Sequence, residues 1–133
     1  VKVFIDSNIP MYVAGREHPN RAAALRILEQ VRDGALEGCS STEVLQEILY
    51  RYLGLKRPDL ARKVYDHFVT LCPVILPVTI ADTDRARDLA CGEPRLSARD
   101  AVHAAVMLNH NLGHIATFDR GFDRIPGIKR VPL

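Results

Sequence analysis

The apolar positions change period several times along the chain, and each change marks an element. Residues 1–5, VKVFI, form a β-branched run that predicts a short strand. Between 20 and 34, Ala23, Ile27, Leu28 and Val31 recur at helical spacing, and Gly34 supplies a stop. Residues 35–40, ALEGCS, predict only a weak strand. In 41–54, Leu45, Ile48, Leu49 and Tyr52 share one helical face ahead of Gly54. In 57–71 a helix opens on Pro58 and carries Leu60, Val64, Phe68 and Leu71. PVILPV (73–78) reads as a strand between prolines, 80–91 as a polar-faced helix, and 96–109 as a helix apolar on most sides. HIATF (114–118) and IKRV (128–131) read as the last two strands.

Strands alternating with helices of ten to fifteen residues predict an α/β class with a mostly parallel sheet. The 133 residues fit a single domain, 1–133, without internal repeat or low-complexity tract. In such sheets ligands bind outside the carboxyl ends of the strands. Those ends are therefore where chemistry is sought.

Composition narrows the function classes only a little. A net charge of +2 permits an anionic partner but lacks the footprint of a dedicated nucleic-acid binder. Cys39, Cys72 and Cys91 have no C-x-x-C or metal spacing and read as buried free thiols. No apolar run approaches a membrane span, and the first residues do not resemble a secretory signal. A cytoplasmic protein without membrane contact is the expectation.

Acids stand at the element junctions. Asp6 ends the first strand, in FIDSN; Glu43 and Asp100 lie in the first turns of the helices at 41–54 and 96–109. Asp119 follows HIATF, and Asp123 comes four residues later. Each has a bland explanation. Ser40-x-x-Glu43 and Ser97-x-x-Asp100 both fit a capping box. Glu43 faces away from the apolar stripe of its helix, and Glu47, one turn on, shares its face and is a rival. Yet Asp6 and Asp119 end strands whose carboxyl ends share one edge. Carboxylates converging there repel one another unless a cation lies between them. A hard divalent ion such as Mg²⁺ is the economical counterweight.

In order along the chain, FIDSN, STEVLQEIL, SARDAVHAA and IATFDRGFD resemble the four acidic motifs of the PIN-domain nucleases, and most closely the VapC-type toxins of VapBC toxin–antitoxin pairs. The resemblance spans nearly the whole chain. It implies a three-layer α-β-α sandwich and a Mg²⁺- or Mn²⁺-dependent endoribonuclease. Matched residue by residue, it assigns Asp6, Glu43, Asp100 and Asp119 as catalytic, metal-binding acids. Asp123 matches a more variable acid and competes with Asp119 as the fourth ligand. Ser7, Asn8 and Thr117 are candidates for orienting the carboxylates. Arg99, Arg120 and Arg124 flank the motifs and are candidates for holding the RNA backbone. His103, one turn after Asp100, fits a buried supporting histidine better than a general base. The resemblance also implies a VapB-like antitoxin and a homodimer, for which the helices at 41–54 and 57–71 offer apolar residues.

Two other readings compete. A phosphoryl-transfer α/β domain is disfavoured because Asp6 is followed by Ser-Asn and ATFDRG lacks the required Lys. A non-catalytic RNA- or protein-binding module is disfavoured because carboxylates without a metal would only weaken RNA binding.

Overall fold

The computed structural model describes residues 2–133; Val1 lies outside the described residues. Five strands, β1 (Lys2–Ile5), β2 (Glu37–Ser41), β3 (Val74–Leu76), β4 (His114–Ala116) and β5 (Lys129–Arg130), form one sheet in the order β3-β2-β1-β4-β5. Every pairing is parallel. The helices are α1 (Asn8–Ala14), α2 (Arg21–Arg32), α3 (Thr42–Gly54), α4 (Pro58–Leu71), α5 (Ile80–Gly92) and α6 (Ala98–Asn109), with a 3-10 helix at Arg120–Arg124. Right-handed crossovers place α1–α4 over one face and α5–α6 over the other. This is the expected three-layer sandwich, with a sheet parallel throughout.

A parallel sheet covered on both faces needs continuous apolar strands. Val3, Phe4 and Ile5 meet that demand and are fully buried. β2 has the weakest apolar signal, yet it pairs on both sides. Two of its polar side chains are satisfied locally: Ser40 Oγ donates to the carbonyl of Ile5 at 2.9 Å and Cys39 Sγ lies 3.4 Å from that of Val3. Gly38 is required there, because a Cβ would lie 2.8 Å from Val31 Cγ1 at the end of α2. Along α6, Ala101, Ala104 and Ala105 are fully buried, and these small side chains let the helix lie close on the core.

The chain runs from β1 outward to β2 and β3, then crosses back to β4 on the other flank of β1. The carboxyl ends of β1 and β4 thus form the topological switch point, where a crevice opens. A bond from Asp6 N–H to the Ala116 carbonyl, 3.1 Å, carries the pairing one residue past β1. The strands predicted at 73–78 and 114–118 are shorter than expected: Pro77 has no N–H for a ladder, and Thr117 leaves the sheet to enter the site. Cys39 and Cys72 are buried thiols, but Cys91 is exposed at the last turn of α5, contrary to expectation.

Candidate active site

Asp6 sits at the floor of the crevice, 4% exposed. Its Oδ1 accepts from the Ser7 N–H at 2.7 Å, and its Oδ2 from Thr117 Oγ1 at 2.6 Å. Thr117 Oγ1 in turn accepts from Asn8 Nδ2 at 3.1 Å and from the Asp119 N–H at 3.0 Å. One hydroxyl therefore ties the end of β1 to the end of β4. Ser7 acts on Asp6 through its backbone, and Asn8 through Thr117 and through its own amide, which donates to Asp6 Oδ2 at 3.5 Å. Burial pushes the Asp6 carboxyl above its ordinary range, with Glu47 adding to the rise, while His103, Thr117 and Ser7 oppose it.

α3 and α6 bring the next groups to the same place. His103 is fully buried, with Nε2 at 2.5 Å from Glu47 Oε1 and 3.7 Å from Asp6 Oδ1. Burial disfavours charge on the imidazole, yet the bond to Glu47 and the Asp6 and Asp100 carboxylates raise its pKa overall. Ligand atoms of Asp6, Glu47 and His103 all lie within 4.8 Å of one another. Glu43, one turn earlier on α3, is half-buried at the rim. Its pKa is raised by burial first and by Glu47, against His103 and Arg99.

Asp100 and Asp119 close the cluster from α6 and the loop after β4. Asp100 is pushed up to about 8, by burial first, then by the hydrogen bond and charge of Asp119 and the charge of Asp6, with His103 opposing. Asp119 is lowered by that same hydrogen bond to Asp100, against burial, and by the Gly121 N–H, which donates to its Oδ1 at 2.8 Å. The opposite shifts favour a proton on Asp100 over one on Asp119. Two acceptors drawn together this way are under electrostatic stress that an external cation relieves.

The donors fit a hard divalent ion. Carboxylate oxygens dominate the cluster, the ligand type such an ion prefers, and burial with neighbouring acids raises Asp6 and Asp100. Three buried side-chain atoms, Asn8 Oδ1, Ser41 Oγ and His103 Nδ1, have no hydrogen-bond partner among the described residues. Asp6 and Glu47 bring ligand atoms together with His103, Asp100 interacts with Asp6 and Asp119, and Glu43 interacts with Glu47.

Asp123 is not brought in. Both its carboxylate oxygens accept from Arg130, at 2.9 Å each, and Arg130 also acts on Asp119. A guanidinium fork a few residues on captures it. Glu47, treated in sequence as the rival of Glu43, lies deeper in the cluster. The signal was its position one turn further into a helix whose first turn stands at the crevice rim. Neither expected capping box forms in full. Ser41, not Ser40, precedes α3 and makes no side-chain cap bond. Ser97 accepts from the Asp100 N–H at 3.1 Å, so only that half forms and the carboxyl stays free for the site. Arg99 lines a cleft of about 720 Å³ beside Ser7, Met11 and Glu47. Arg124 acts on the Asp119 carboxylate, and Arg120 is exposed beside it.

An all-parallel α/β sandwich with clustered acids at its switch point defines a class of acid-site, metal-fitted domains. Residues 3–128 match the PIN domain, and the chain belongs to the PIN-domain family. It is 42% identical over 129 residues to ribonuclease VapC13 of Mycobacterium tuberculosis, covering 97% of this chain and 98% of that one. It is 35% identical over 120 residues to ribonuclease VapC23 of the same species, covering 88% and 92%. Among solved structures, VapC20 of M. tuberculosis, a sarcin-ricin loop cleaving toxin, is similar with a TM-score of 0.74 at 20% identity, over 91% of this chain and 92% of that one. The VapBC2 complex of Rickettsia felis, bound to a DNA fragment from its promoter, gives 0.74 at 17%, covering 98% of each chain. These two likenesses concern the fold.

Proposed function

We propose that the chain is a divalent-metal-dependent endoribonuclease, the toxin of a VapBC-type pair. One observation carries the reading: carboxylates from four distant segments converge at the switch point of a chain 42% identical to VapC ribonucleases. Asp6, Glu47, Asp100 and Asp119 would hold Mg²⁺ or Mn²⁺, with Glu43 at the rim. A bound ion of this kind lowers the pKa of its water and stabilises charge at phosphorus and on the leaving oxygen.

The chain's own groups prepare that site. Thr117 and the Ser7 N–H fix both oxygens of Asp6, so the carboxylate is aimed before any ligand arrives. His103 fixes Glu47 from below, in surroundings that exclude water. Arg99 and Arg124 stand at the two flanks of the acids and steady the phosphates of the RNA. Among the described residues no helix is long and apolar enough to cross a membrane. The reading places the enzyme in the cytoplasm, where the free Cys39, Cys72 and Cys91 stay reduced. A VapB-like antitoxin restrains it. The exposed Tyr50, Leu53, Leu55 and Val69 on and after α3 and on α4 supply a homodimer contact.

The test is cleavage of RNA by purified protein with Mg²⁺ or Mn²⁺, with EDTA, and in the Asp6→Asn variant. Cleavage that needs the ion and disappears in Asp6→Asn supports the reading. Cleavage that persists in EDTA or in the variant ends it.

A further inference from the structure

A groove of about 1320 Å³ runs along the β5 edge of the sheet, between the start of α2 and the C-terminal residues. Its charged lining is Arg26, Arg120, Lys129 and Arg130, with His114, against one acid, Asp123. Asp123 is already held by Arg130. Arg26, Arg120 and Lys129 are exposed and form no ion pair among the described residues. They come from α2, from the 3-10 helix after β4 and from β5, so the fold assembles them; no basic run in the sequence does. In a chain of net charge +2 such a gathering is a strong local asymmetry.

The groove meets the acid cluster at Phe118 and Arg120, which bracket Asp119. Arg130 lines the groove and also acts on the Asp119 carboxylate. A site built of carboxylates repels a polyanion, so the substrate must be held by cations beside it. We propose that this groove is the track for the phosphate backbone of an RNA strand to one side of the scissile bond, gripped chiefly by Arg26, Arg120 and Lys129. The proposal rests on the ribonuclease reading and adds the surface that delivers substrate to it. An acidic peptide adding to the sheet edge is the weaker fit. β5 is only two residues, both basic, and offers almost no ladder for a further strand.

The experiment measures fluorescence anisotropy of a labelled 12-nucleotide single-stranded RNA with the full chain in EDTA, across a sodium chloride series. Each phosphate contact on a single strand contributes about 0.7 to the slope of log affinity against log salt. The Arg26→Ala/Lys129→Ala double variant is expected to reduce that slope by roughly 1.4 and weaken low-salt binding about tenfold. Lys129→Arg should restore its share, and an unchanged thermal melt certifies the fold. Unaltered affinity and slope in the double variant overturn the proposal. So does RNA binding that stays intact while an oligoglutamate peptide loses affinity, which would make the occupant an acidic protein. Metal-dependent cleavage by the wild type is measured in parallel. Its presence with an unaltered slope sinks the groove alone, and its absence sinks the ribonuclease reading.

Discussion

Two buried carboxylate sites in this protein have opposite fates. Asp82, in the first turn of α5, is 1% exposed, yet its pKa is lowered. Burial would raise it, but the Thr79 N–H donates at 2.9 Å, Asn109 Nδ2 at 2.8 Å and Thr79 Oγ1 at 3.1 Å. Asp6 and Asp100 are raised instead, by burial first, with Glu47 adding to Asp6 and with Asp119 and Asp6 adding to Asp100. An acid whose lone pairs the protein fills is a structural pin, here the reciprocal cap that starts α5. An acid left facing its own kind is incomplete until a cation arrives. At Asp82 the donors outweigh burial, whereas at Asp6 and Asp100 burial prevails and neighbouring acids add to it.

The contrast breaks most visibly on the active-site side. Asp6→Asn keeps the shape and the Thr117 contact, and is expected to slow metal-dependent RNA cleavage by at least about a hundredfold in a gel-based rate assay. At the other site, Asp82→Ala removes a cap and strands Asn109. It is expected to lose roughly 2 kcal/mol in urea unfolding while the cleavage rate per folded molecule holds. Smaller is a pH effect. Asp100 binds its proton more tightly folded than unfolded, so its burial carries no penalty at low pH. Stability is lost as pH rises from its ordinary 3.8 through about 8. In thermal melts without metal, Asp100→Asn should gain on the wild type over that interval, by on the order of 5 °C at the upper end. Saturating Mn²⁺ should abolish the gain. The smallest effect separates two adjacent acids: Asp119→Asn should impair cleavage strongly, whereas Asp123→Asn, already turned to Arg130, should change the rate by no more than about twofold.

Most elements were legible because they obey one period for long enough. The helix read at 57–71 is α4, Pro58–Leu71, and that read at 41–54 is α3, Thr42–Gly54. α1 was not anticipated: its seven residues follow a turn-like Asp-Ser-Asn and contain Pro10, which is tolerated only because it falls in the first turn. The 3-10 helix at 120–124 likewise hides in DRGFD, which reads as a loop. Within the site, Asp6, Asp100 and Asp119 were visible as acids at element junctions. Glu43 and Glu47 share a helical face, and sequence spacing alone does not say which turn reaches inward. Pairing Asp123 with Arg130 depends on the return of β5 beside β4, a long-range contact no local pattern carries.

That Asp6, Glu47, Asp100 and Asp119 would jointly hold divalent metal is most directly tested by anomalous diffraction at the manganese edge from Mn²⁺-soaked crystals. The account predicts a peak within bonding distance of those carboxylates. A peak confined to Asp82 or Asp123, or none at saturating Mn²⁺, would contradict it.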